Sequence, residues 1–132
     1  THANPTIGHT LGNTLPKRPN IHLLRALPYS AFVGIMDRCH LVITDSGGVQ
    51  EEAPSLGKPV LVFRDVTERN EGLHLGIATL IGTSQEAIIS AVSELLDYPD
   101  TYLAMTKGPN PYGDGQACDR IIEILRCIFI EK

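Results

Sequence analysis

The sequence predicts an α/β fold, a parallel sheet flanked by helices. Three observations carry that expectation. Short apolar runs rich in β-branched residues alternate with segments of helical period along the whole chain. One run, Leu41-Val42-Ile43-Thr44, is continuous rather than alternating, as suits a parallel strand covered on both faces. Turn formers such as Gly57, Pro59 and the stretch from Lys107 to Gly113 fall at the borders between runs.

In chain order, Thr1–Pro19 is mostly polar, and Asn4-Pro5 breaks it early. Ile21-His22-Leu23-Leu24 reads as a short strand after Pro16, Pro19 and Asn20. Pro28 to Arg38 reads as a helix, because Phe32, Ile35 and Met36 make a stripe at i, i+3, i+4. Leu41 to Thr44 is the second strand. Gly47 to Leu56 is the next helix, with Pro54 calling for a kink or an early end and Gly57 for a stop. Pro59 to Phe63 and Ala78 to Ile81 are the third and fourth strands. Thr83-Ser84-Gln85-Glu86 has the form of a capping box with Thr83 as N-cap. The helix behind it carries Ile88, Val92, Leu95 and Leu96 on one face. Pro99 opens a short helix at its first turn, where a missing N–H costs little. Asp114 caps a last helix whose apolar face is Ala117, Cys118, Ile121, Leu125 and Ile128.

The chain has 132 residues, 42% hydrophobic and 20% charged, a balance that excludes disorder and fits one domain. Lys and Arg number 11 against 15 Asp and Glu, a net charge of −4, and no basic cluster exists, so a nucleic-acid face is not expected. No apolar run approaches the ~18 residues of a membrane span. The opening has no signal-peptide pattern, so a cytoplasmic location is expected. Cys39, Cys118 and Cys127 are odd in number and lack CxxC spacing, which favours small apolar roles in a reduced interior over a disulfide or zinc site. The histidines, His2, His9, His22, His40 and His74, form no metal-ligand pattern, and His40 beside a strand reads as structural. No metal or cofactor is called for. Four strands is narrow for the amount of helix, which points to an incomplete domain with an exposed apolar sheet edge.

Chemistry concentrates where the second strand meets its helix. The strand ends at Asp45, and Ser46-Gly47-Gly48 leads into the helix. The first N–H groups of a helix lack intrahelical partners and carry the positive end of the macrodipole. Glycines let a ligand approach that backbone. Together they suit a phosphate or diphosphate, at the carboxyl end of a parallel strand where ligands bind. The plainer alternative makes Ser46 an N-cap and the glycines a tight turn. Glu51 and Glu52 follow, and a carboxylate there suits either the helix dipole or the two hydroxyls of a ribose. Six residues separate Ser46 from Glu52, a rotation of roughly 600°, equivalent to roughly −120°, which permits the second role without choosing it. The polar cluster Thr67-Glu68-Arg69-Asn70-Glu71-Gly72 follows the third strand. Arg69 suits a phosphate, although a solvated helix start with internal Glu–Arg pairs explains it equally.

The run from Thr44 to Leu61, TDSGGVQEEAPSLGKPVL, resembles the non-hydrolysing UDP-N-acetylglucosamine 2-epimerases. Arg64-Asp65-Val66-Thr67-Glu68-Arg69, the stretch Asn110 to Ala117 and the opening His2-Ala3-Asn4-Pro5 fit the same family in order and spacing. The resemblance implies a Rossmann-like domain, part of the C-terminal domain of a glycosyltransferase-B-type fold. It implies that Ser46, Gly47 and Gly48 hold the UDP diphosphate, that Glu52 binds the ribose hydroxyls and that Arg69 assists the phosphates. Phe32 falls in the stretch that meets uracil, and His2 in the segment lining a second, activating UDP-sugar site. The implied reaction interconverts UDP-GlcNAc and UDP-ManNAc by eliminating UDP to a 2-acetamidoglucal and adding it back. The implied partners are a UDP-sugar, a missing N-terminal domain and, in the full-length enzyme, a second copy in a homodimer.

Two departures stand out. Asn70 replaces the usual Pro after Thr-Glu-Arg, which is expected to loosen the Arg69 loop. The family's acid/base carboxylates and its His-Arg-Arg-Glu motif are absent from this chain, so no catalytic residue is assigned here and the segment alone is expected to be inactive. The runner-up is the nucleotide-binding half of a UDP-sugar glycosyltransferase, against which the Thr67-Glu68-Arg69 and Asn110-to-Ala117 motifs speak.

Overall fold

The computed structural model describes residues 5–16 and 18–129, with the side chains of 5–9 left aside. Two compact units divide at Arg38 and Cys39. The first holds α1 (Pro5–Thr14) and α2 (Tyr29–Arg38). Helix α1 falls in the stretch read as polar and broken: Pro5 stands at its first position, where the ring's fixed φ favours a helix start. Ile21 to Leu24 is not a strand; Ile21, Leu23 and Leu24 are exposed in irregular backbone. Three apolar residues and a histidine cannot make a strand without a neighbouring ladder to satisfy their backbone groups. In α2 the expected stripe is uneven, with Met36 buried and Phe32 and Ile35 exposed.

The second unit contains β1 (Val42–Thr44), α3 (Gly47–Ser55), β2 (Val60–Val62), α4 (Asn70–His74), β3 (Ala78–Leu80), α5 (Gln85–Asp97), α6 (Pro99–Thr106) and α7 (Ala117–Phe129). Among the described residues the sheet has three parallel strands in the order β1-β2-β3, one fewer than the sequence suggested. Val42 pairs with Val60 and Thr44 with Val62; Val60 pairs with Ala78 and Val62 with Leu80. The central strand is the one sealed on both faces, with Val60, Leu61 and Val62 no more than 1% exposed. The edge strand β1 departs from the expectation of double burial, because Ile43 is 45% exposed. Leu61, Ile81, Leu95 and Met105 form the core, with Leu41, Ile88, Ala91 and Val92 packed against it. Leu96 lies outside it, exposed.

Capping follows local chemistry closely. Helix α3 ends one residue after Pro54, and Gly57 takes φ 65°, a left-handed stop that no β-carbon resists. The N-cap of α5 is Ser84 rather than Thr83: its Oγ accepts the Ala87 N–H at 3.2 Å. Tyr102 of α6 stacks on His40 with ring centroids 4.1 Å apart and donates its hydroxyl to the His40 carbonyl, so His40 braces α6 against the chain entering β1.

Helix α7 is amphipathic, but its apolar face is not buried among the described residues: Ile121, Leu125 and Ile128 are exposed, as are Cys118 and Cys127, which therefore do not play the interior role expected of them. Asp114 precedes α7 by more than one cap position. Its Oδ1 accepts the Gln116 N–H at 3.0 Å, and both oxygens take the Arg120 guanidinium. The Arg120 bond, then the Gln116 bond, hold the Asp114 carboxyl below its ordinary 3.8. The tether is thus fully present above that value and is lost as pH falls through the lower folded value. In a pH titration by NMR the Gln116 amide proton is expected to move upfield only in that acid window; a midpoint above 3.8 would contradict the pairing.

Candidate functional site

The carboxyl ends of β1 and β2 launch the two segments that form the site. Thr44 closes β1, and its Oγ1 accepts the Ser46 N–H at 3.0 Å, fixing the turn into α3. Ser46 is the N-cap residue by its extended backbone (φ −81°, ψ 127°), yet its side chain makes no capping bond. Ser46 is thus an N-cap by its backbone alone. The hydroxyl is not spent on the helix, and no side-chain cap covers the leading N–H groups of Gly47, Gly48 and Val49. They face outward at the positive end of a nine-residue helix.

From β2 the chain runs through Phe63 to Arg69 and returns to this helix end. A β-carbon on Gly47 would stand 3.2 Å from Glu68 Oε1 and 3.4 Å from Arg69 Nη2, so the glycine keeps the guanidinium close to the helix terminus. Arg69 donates from Nε to Glu51 Oε1, and its Nη1 lies 3.0 Å from Glu68 Oε1. Glu68 also meets Arg64 at 3.2 Å. The Glu51 bond, chiefly, raises the Arg69 pKa, so the cation is permanent. Glu68 is held low by its own backbone N–H first, with Arg64 and Arg69 adding to the effect. The internal Glu–Arg pairs considered above are therefore real. They also keep a fixed positive charge beside an uncapped helix terminus.

Glu52 points its Oε1 to within 3.8 Å of the β-carbon position at Gly48, on the same mouth, whereas Glu51 is committed to Arg69. The two neighbouring carboxylates thus take different surroundings, Glu51 on Arg69 and Glu52 beside Gly48. Phe32 stands on α2 in the first unit and is 40% exposed. His2 lies outside the described residues. Among the described residues no cluster of three His, Cys, Asp or Glu side chains could hold a metal ion, and no helix is long and apolar enough to cross a membrane.

Three residues escaped the sequence reading. Gln50 is 1% exposed and accepts the Thr67 hydroxyl on Oε1 at 2.7 Å. Thr67 in turn accepts the Arg69 backbone N–H at 3.2 Å. Tyr112 accepts the Gly72 N–H at 3.1 Å, and burial pushes its phenol upward. The signal for Gln50 was its i, i+3 spacing from the core-facing Ala53, which places a long amide on the inner face of α3. Asn110 binds Ser55 Oγ at 2.8 Å and the Gly113 carbonyl at 3.1 Å, so the Asn110-to-Ala117 motif clamps the far end of α3 while Tyr112 clamps α4. Asn70 is the first residue of α4, where its N–H needs no helical partner.

Comparison with known proteins places the chain in a family. The sequence profile of the family described as UDP-N-acetylglucosamine 2-epimerase matches residues 1–126. The UDP-N-acetylglucosamine 2-epimerase of Escherichia coli K12 is 47% identical over 95% of this chain and 33% of its own length. A crystal structure of UDP-GlcNAc 2-epimerase from Neisseria meningitidis bound to UDP-GlcNAc superposes with a TM-score of 0.85 at 43% identity, over 95% of this chain and 34% of that one. The Methanocaldococcus jannaschii UDP-GlcNAc 2-epimerase, in complex with UDP-GlcNAc and UDP, gives a TM-score of 0.73 at 34% identity, over 89% and 31%. The chain spans about a third of the length of the curated relatives it matches. By the family match over residues 1–126 and these identities, the chain belongs to the UDP-N-acetylglucosamine 2-epimerase family.

Proposed function

We propose that this chain is the UDP-binding, C-terminal Rossmann-like portion of an enzyme that interconverts UDP-GlcNAc and UDP-ManNAc. The observation that carries the reading is the uncapped N-terminus of α3 with the Arg69 guanidinium held beside Gly47. The N–H groups of Gly47 and Gly48 and the Ser46 hydroxyl bind the diphosphate. Glu52, at the same mouth, takes the ribose hydroxyls. Phe32 meets the uracil, and His2 serves a second UDP-sugar site.

The C2 hydrogen of the sugar is too weakly acidic for simple removal and return. Elimination solves this: the C1–O bond to UDP breaks as C2 loses its proton, leaving a 2-acetamidoglucal. Re-addition of UDP with protonation on the opposite face of C2 gives the epimer. Charge grows on the departing diphosphate, and preorganised N–H groups with a neighbouring arginine stabilise charge that develops there. The carboxylates that move the proton belong to the remainder of the polypeptide, and the full-length enzyme works as a homodimer.

Incubation of the complete polypeptide with UDP-GlcNAc in D₂O tests this reading. UDP-ManNAc is expected to appear with deuterium at C2 in both epimers. A glycosyltransferase half would leave the C2 proton in place, and that result would overturn the assignment.

A further inference from the structure

We propose that Gln50 and Thr67 are positioning residues for Arg69, forming a relay that fixes the guanidinium loop to the same helix that forms the diphosphate cradle. The inference rests on the proposed role of Arg69. Its basis is a chain of two hydrogen bonds across 17 and 2 residues of sequence: the Thr67 hydroxyl donates to Gln50 Oε1, and the Arg69 N–H donates to Thr67 Oγ1. Gln50 lies in the first turn of α3, one residue before the Glu51 that holds the Arg69 side chain. Main chain and guanidinium of Arg69 are therefore both referenced to α3, one through Gln50 and one through Glu51.

The amide is costly where it stands. Gln50 is 1% exposed, and its Nε2 has no hydrogen-bond partner among the described residues. A leucine would fill that space without stranding a donor, and a buried unpaired donor is more expensive than a made bond is favourable. The oxygen of Gln50 gives the Thr67 hydroxyl a defined direction, which leaves the Thr67 lone pair aimed at the Arg69 N–H. Without that chain the loop keeps the Glu51 pair but loses its backbone reference, and a displacement of ångström scale at a charge-stabilising group lowers turnover.

Steady-state epimerisation by the complete polypeptide provides the test. Thr67→Val is expected to lower kcat about tenfold with KM changed less than about threefold, because the arginine matters most as charge develops. Thr67→Ser, which retains the hydroxyl, is expected to recover kcat to within about twofold. Gln50→Leu should lose kcat as Thr67→Val does while its melting temperature changes little, since the buried Nε2 donor is removed while the Thr67 hydroxyl that loses its acceptor is only half-buried. On an Arg69→Ala background Thr67→Val should add less than about twofold, the sign of action through Arg69. Additive losses, failure of the serine variant to recover kcat, or a loss that tracks melting temperature alone would overturn the relay while leaving the role of Arg69 intact. An Arg69→Ala enzyme with unchanged kcat would instead overturn the role of Arg69, and the relay with it.

Discussion

In the complete polypeptide, Gly47→Val is expected to abolish the proposed UDP-sugar turnover, by about a hundredfold or more, while the protein keeps its fold. The position is helical with no special backbone conformation, so a side chain is compatible with α3 itself. The conflict is with what surrounds it. A first β-carbon already meets Glu68 Oε1 at 3.2 Å and Arg69 Nη2 at 3.4 Å, both ends of flexible side chains that can swing away. The two methyls of valine then occupy the space over the leading N–H groups and push the guanidinium from it. One substitution thus removes two sources of positive potential from the proposed diphosphate site. Calorimetry with UDP should register the loss directly, and thermal melting should register almost nothing. A variant that still binds UDP normally would place the diphosphate elsewhere on the chain.

Leu61→Ala is expected to have the largest effect on stability, about 2–5 kcal/mol. Leu61 is 1% exposed at the middle of the central strand and packs into the cluster with Ile81, Leu95 and Met105. A core of so few large side chains has little capacity to collapse around a cavity, so the loss should fall toward the upper end of that range. For a unit of this size each kcal/mol moves the melting temperature by about 4–8 °C. Urea denaturation of both proteins would measure it; a change below about 1 kcal/mol would show that the strand is not the keystone of the core.

Legibility in the sequence depended on how far apart the cooperating residues lie. Val60-Leu61-Val62 announced a buried strand because three consecutive apolar residues admit little else between Pro59 and the polar run after Phe63. Ser46-Gly47-Gly48 marked the turn from strand to helix for an equally local reason, but left open whether the Ser46 side chain capped that helix. Leu41 to Thr44 looked the same as β2, yet Ile43 is exposed, because strand order decides which run is central and no local pattern encodes that order. Ile21 to Leu24 had the composition of a strand without the partner that makes one. The stripe on α7 correctly marked a helix and its apolar face, but a stripe carries no information about what lies against it. Within the site, Glu51 and Arg69 are 18 residues apart and Gln50 and Thr67 are 17 apart. Those meetings are arranged by the β1–β2 register, so Glu51 and Glu52 remained indistinguishable until the fold assigned one of them to Arg69.

The pairing of Thr44 with Val62 has an evolutionary consequence. Parallel strands finish on the same side, so the two chains leaving this sheet begin as neighbours and every ligand contact proposed for this unit is made beyond the ladder. Residues that set folding stability, Val60 to Val62, are shielded inside, while Ser46, Glu52 and Arg69 stand outside it. Selection can therefore retune the recognition loops, in length or in charge, with little pressure on the frame that carries them. The frame needs only to keep its register, and a lineage that does so is free to change what it binds.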